Sequence, residues 1–196
     1  MRALVITLLV SFGSGLGPSL GSAAVLDLPF GAVLQEERVT EGADYVLPTG
    51  IYSDSELPHE IRSGNLRLQA WQMQGSELTT SQILAPLATQ LDLQGYDTRF
   101  ICADRACGGF DFRFAIDVLP APGMFVDLGD FRFLSATRED TAITLLISRS
   151  AQSRFLQIAT VTPSTSNPIV VESSKPALNV PEPNEDDLIE ALQSKG

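Results

Sequence analysis

Cys102 and Cys107, in the stretch ICADRACGGFDFRF, are the two cysteines of a 196-residue chain. What they can do depends on where the chain folds, and its first residues bear on that. MRALVITLLVSFGSGLGPSLGSAA has a basic start at Arg2, an apolar run from Ala3 to Phe12 and small residues up to a break at Ala24. These are the parts of a secretory leader. The apolar run is far short of the roughly 20 residues that cross a bilayer. Gly13, Gly15, Gly17 and Pro18 would interrupt a buried helix there. No cysteine lies near the break, so a lipid anchor is not expected. The mature chain should begin near Val25, with no transmembrane segment once the leader is removed.

Exported chains fold where disulfides persist. Two cysteines spaced C-x4-C therefore predict one structural bridge. The C-x-x-C of thioredoxin-like oxidoreductases is missing, and so is the second ligand pair of a structural zinc site. The single histidine, His59, stands in the acidic segment SDSELPHEI and reads as a solvated loop residue rather than a triad member or a metal ligand. No metal and no cofactor is expected.

The chain carries a formal charge of −11, and loss of Arg2 with the leader leaves −12, which argues against nucleic acid or anionic lipid as a partner. Every base from Val25 to Pro163 is arginine, while Lys175 and Lys195 lie in the tail. The base composition of the gene explains this asymmetry. The functional reading is that some of these fork-shaped donors, suited to carboxylates, form a binding surface. Arg105, Arg113 and Arg132, with Trp71 of LQAWQMQ, are its candidate members. An aromatic on a half-buried strand is more often core than platform.

Four segments are expected: a leader over 1–24, one domain over 25–163, a linker over 164–183 and a short helix start over 184–196. The linker follows from TPSTSNPIVVESSKPALNVPEP, whose prolines, serines and threonines replace periodic pattern. After it, NEDDLIEALQSKG has a capping Asn184, acidic residues for the N-terminal dipole and a thin stripe of Leu188, Ile189 and Leu192.

Within the domain, LTTSQILAPLATQLDLQGY predicts a helix: Thr79 or Thr80 as cap, Ile83, Leu84, Leu87 and Leu91 at helical spacing, Gly95 as the stop. Pro86 falls inside it. Alternation in NLRLQAWQMQ puts Leu66, Leu68 and Ala70 on one face of a strand, and YDTRFIC reads as another directly after the helix. DFRFLSATR and TAITLLISRS flank Glu139 and Asp140 as in a tight hairpin, with RFLQIATVT following. AVLQEERV and DYVLP offer a minor β pair. FDFRFAIDV is ambiguous, since Phe110, Phe112 and Phe114 alternate like a strand, but AIDVL continues a helical spacing that would put Phe110, Phe114 and Val118 on one face. A helix or irregular segment is favoured there. The fold class expected is α+β, an antiparallel sheet packed against one or two helices.

No Gly-rich phosphate loop, zinc-protease motif or nucleophile elbow occurs. VDLGDF offers Asp127 and Asp130 beside Gly129, which reads as a capped turn entering the next strand. It lacks the alternating oxygen ligands of a calcium loop. The catalytic alternative is a pair of carboxylates acting on glycans.

The leader, QAWQM, the helix ending LQGY, ICADRACGGFDFRF, VDLGDFRFLSA, LLISRS and the proline-rich linker together resemble the N-terminal periplasmic region of a group of OmpA-family envelope proteins of Gram-negative bacteria. That region carries a C-x4-C-G motif, matched by Cys102, Cys107 and Gly108, ahead of an OmpA-like peptidoglycan-binding domain. EDDLIEALQSKG reads as the lead-in to such a domain, which has no counterpart here, so no peptidoglycan-binding residue is carried over. The resemblance implies a non-enzymatic periplasmic module of the envelope, outer-membrane or cell-wall associated. Its partner would be peptidoglycan or another envelope protein. An envelope hydrolase using Asp127 and Asp130 is the alternative.

Overall fold

The computed structural model describes residues 24–164. Residues 1–23 of the leader, the terminal helix start and all of the linker after Ser164 lie outside the described residues. Six strands, β1 (Val33–Pro48), β2 (His59–Gln74), β3 (Asp97–Ala103), β4 (Phe131–Arg138), β5 (Thr141–Arg149) and β6 (Ser153–Thr162), form one sheet in the order β1-β2-β6-β5-β4-β3. Every pairing is antiparallel. After the β1–β2 hairpin the chain leaves the sheet through helix α1 (Thr80–Leu93), re-enters at the far edge as β3, and returns strand by strand until β6 closes against β2. The α+β class expected from the sequence is the architecture observed.

Both faces of the sheet are covered, and β5 shows why it must be. Ala142 and Leu146 point into one cluster with Phe112, Phe131, Phe133 and Phe155, while Ile143, Leu145 and Ile147 point into another with Ile83, Leu87 and Leu91 of α1. A strand apolar on both faces needs a layer on each side. The first face is covered by the segment between β3 and β4, which contains a short 3-10 turn, Asp104–Cys107, and helix α2, Gly109–Ala115. The second is covered by α1 and by the residues leading into β1, including Leu26 and Leu28.

α1 starts and stops where its sequence dictates. Thr79 and Gln82 form a reciprocal capping box, with Gln82 N donating to Thr79 Oγ1 at 3.1 Å and Thr79 N to Gln82 Oε1 at 2.9 Å. At the other end Gly95 takes φ +79°, which lets Tyr96 N reach Leu91 O at 3.0 Å and Gly95 N reach Asp92 O at 2.9 Å. This is the Schellman pattern. Pro86 remains inside the helix.

The first hairpin departs from the sequence reading. AVLQEERV and DYVLP do not form a minor pair with each other; they are two parts of the single strand β1, and both pair with β2, which itself starts at His59 rather than Asn65. Irregularities between Leu34 and Glu36 and between Thr40 and Ala43 explain the difference. Each extra residue reverses which side chains face the core, so period-2 alternation is interrupted twice along one strand. The end of this hairpin bends over the first face. Tyr45 Oη lies 3.0 Å from Thr144 Oγ1, Ser135 Oγ donates to Pro48 O at 2.5 Å, and Arg99 of β3 reaches Glu60 of β2 at 2.6 Å. Burial pushes the Tyr45 phenol up to about 12, against the opposing effect of its hydrogen bond with Thr144.

Candidate functional site

β3 delivers Cys102 to the first face, and the 3-10 turn brings Cys107 back beneath it; the two form a disulfide with Cα atoms 5.2 Å apart. Cys107 is fully buried, and its carbonyl accepts from Tyr52 N at 2.9 Å, so the loop between β1 and β2 rests on the staple. Asp104 Oδ1 accepts from Phe131 N at 2.5 Å and ties the turn to β4. Gly108, at φ +116°, swings the chain from the turn into α2. No L side chain fits that conformation easily.

α2 sorts its three phenylalanines. Phe112 is fully buried, with ring centroids 5.1 Å from Phe133 and 6.2 Å from both Phe100 and Phe131. Phe110 and Phe114, one turn apart, pair with each other at 4.5 Å and stay 61% and 67% exposed. The Arg113 guanidinium lies 5.4 Å from the Phe114 ring, and desolvation draws its pKa below the ordinary arginine value. The helical reading of this segment holds over Gly109–Ala115, but Val118 does not extend the face: Ile116 is already extended at φ −107°, ψ 153°. The result is a knob, stapled at its base, presenting Phe110, Phe114, Arg113 and, on the 3-10 turn, exposed Arg105.

The staple predicts a measurable effect. Closing so short a loop is worth about 2 kcal/mol on the chain-entropy estimate. The Cys102→Ser/Cys107→Ser double variant should therefore lose about that much stability in urea unfolding and melt several degrees lower. A variant as stable as the oxidised protein would remove the structural role from this bridge.

The arginines divide by partner. Arg38 pairs with Asp117, Arg67 with Glu37, Arg149 with Asp130, and Arg62 and Arg99 both with Glu60, whose carboxyl is held below its usual range first by the hydrogen bond from Arg99 and then by that from Arg62. Arg138 stacks on Tyr96. Among the described residues, Arg105, Arg113 and Arg132 have neither a side-chain hydrogen bond nor an ion pair. They do not share a surface with one another and Trp71. Arg105 and Arg113 sit on the knob; Arg132 of β4 and Trp71 of β2 alternate toward the α1 face, with β6 and β5 between their strands. Arg132 Nε and Trp71 Nε1 are buried without a partner. Trp71 packs against the second cluster and lines a groove of about 380 Å3 beside Leu26 and Leu28.

The remaining candidates have local roles. Asp127 Oδ1 accepts from Gly129 N at 2.9 Å, closing the turn expected there. Asp130 receives Thr80 Oγ1 at 2.7 Å on one oxygen and Arg149 on the other, joining the start of α1 to the end of β5. His59, exposed at the first position of β2 rather than in a loop, donates from Nδ1 to Leu57 O at 2.7 Å. Among the described residues no group of three or more His, Cys, Asp or Glu side chains gathers as a metal site, and no helix is long and apolar enough to cross a membrane.

The fold and the knob define a class, a disulfide-stapled antiparallel sheet layered with helical segments on both faces. In comparisons with known proteins, no family model matches the chain and no curated relative does.

Proposed function

We propose that the protein is a non-enzymatic binding module of the Gram-negative cell envelope, exported to the periplasm and akin to the N-terminal region of OmpA-family proteins. The observation that carries this reading is the knob. Two exposed aromatic rings and two arginines without ion-pair partners are held by a disulfide, and the fold itself asks nothing of them. Aromatic and arginine side chains on a rigid support are the usual anchors of a protein interface, because little conformational freedom is lost when they dock. Peptidoglycan or a second envelope protein is the partner class. The hydrolase alternative is weakened by Asp130, both of whose oxygens are engaged in joining α1 to β5.

Two assays on the full chain test the reading. A photo-crosslinking residue at Phe114 should capture an envelope protein in cells, or the purified chain should sediment with peptidoglycan. In either assay the Phe110→Ser/Arg113→Ser/Phe114→Ser variant should lose about tenfold in binding, as expected when interface anchors are removed, while its melting temperature changes little. Failure in both assays, or binding that survives the triple substitution, would overturn the proposal. Glycan cleavage that disappears in Asp127→Asn/Asp130→Asn would replace it with the hydrolase.

A further inference from the structure

Arg154 of β6 is a buried cation, 9% exposed, followed in sequence by core residues Phe155 and Leu156. Its partners are backbone carbonyls alone. Nε donates to Leu78 O at 2.5 Å, and Nη1 to Ser150 O and Ser153 O at 3.4 Å each. Among the described residues no carboxylate forms an ion pair with it. A desolvated guanidinium without a counter-charge is an unfavourable arrangement, and it favours any anion that can reach it.

There is a path for one to do so. Nη2 makes no hydrogen bond and does not belong to the buried polar atoms that lack a partner, so it is open to solvent. Arg154 lines a cleft of about 490 Å3 between the β2–α1 loop and the β5–β6 turn, together with Gln74, Ser76, Glu77, Gln152 and Ser153. The two walls are tied by Gly75 N donating to Gln152 O at 2.9 Å. Leu78 O on one wall and Ser150 O on the other fix the plane of the guanidinium, so Nη2 is held in place before a ligand arrives. Its N–H groups can form charge-assisted hydrogen bonds to a carboxylate oxygen. Glu77 on the rim opposes a doubly charged phosphate more strongly than a single carboxylate.

The geometry points to a binding site for a small carboxylate, held through Arg154 Nη2, with the side chains of Gln74, Ser76 and Gln152 available to amide or hydroxyl groups next to that carboxylate. The site is separate from the knob and stands or falls independently of it. Two sources share this chemistry, a peptide-like acid and a sugar acid, and a titration can tell them apart.

The test is an NMR titration of the full chain with N-acetyl-L-alanine, its amide, glucuronate and glucose. At least one of the two acids should give saturable shifts centred on residues 74–77 and 151–154, with a Kd on the order of 1 mM, near −4 kcal/mol. The neutral counterpart of that acid should bind at least about tenfold more weakly, and the acid that binds names the source. No saturable shift at these residues with either acid, or an equal response to the neutral compounds, would overturn the proposal. Arg154→Lys alone is a poor probe because Arg154 also braces Leu78. Glu77→Gln, on the exposed rim, serves as the second variant: removing its charge should tighten acid binding by about two- to threefold. Unchanged or weaker binding by that variant would place the carboxylate elsewhere.

Discussion

Phe112→Ala should destabilise the protein by about 3–5 kcal/mol, the range for deleting a fully buried aromatic side chain. The ring is the only one of α2 that enters the core, and it meets Phe100, Phe131 and Phe133 together. Its removal leaves a cavity bordered by the sheet on one side and the disulfide turn on the other, neither of which can collapse into it easily. Phe110→Ala and Phe114→Ala provide the contrast. Both rings are more than half exposed, so each substitution should change stability by less than about 1 kcal/mol. Urea unfolding of the three variants checks this. A loss below 1 kcal/mol for Phe112→Ala would mean that the knob is not anchored as described.

Gly108→Ala should be nearly as damaging, at about 3 kcal/mol or more, for a different reason. A Cβ there would stand 2.6 Å from Tyr52 Cβ and 2.7 Å from Tyr52 O, and the position holds φ +116°. Backbone and side chain of the loop between β1 and β2 would both have to move, although Tyr52 N is bonded to Cys107 O. Gly109→Ala separates conformation from sterics. Its φ is +62° with nothing within 4 Å of the added carbon, so only the left-handed penalty of about 1–2 kcal/mol applies. If thermal melts rank the two variants equally, close packing against Tyr52 is not what requires glycine at 108.

Those features were unequally legible in the sequence. The β4–β5 hairpin could be placed because Glu139 and Asp140 break two apolar runs, and Glu139 does take a positive φ. α1 was bounded by its own cap and stop residues. The first hairpin was not, because the irregularities of β1 shift alternation out of phase and because Val39, Val46 and Ile61 remain exposed, so apolar character there does not report burial. In the knob the favoured helical spacing, about 100° per residue, already set Phe110 and Phe114 on one face apart from Phe112, but it did not say which face enters the core. The candidate arginines were chosen by residue type. That Arg105, Arg113 and Arg132 lack ion-pair partners depends on which acidic residues the sheet brings near, a tertiary property no local pattern encodes. The burial of Arg154, the first residue of RFLQIATVT, is not encoded locally for the same reason.

The strand order has a consequence for how the chain reaches this state. β6, the last element of the sheet, lies between β2 and β5, and Gly64 lets it approach so closely that a Cβ there would stand 2.2 Å from Thr162 O. Until residues 153–162 are in place, the β1–β2 hairpin and the β3–β5 meander share no backbone ladder, and each presents an open edge. A polypeptide emerging N-terminus first therefore completes the β1–β2 hairpin at Gln74 and holds its inner edge open until residues 153–162 follow. The joining strand arrives last, so contacts between distant parts of the chain make assembly slow and expose those edges to mispairing.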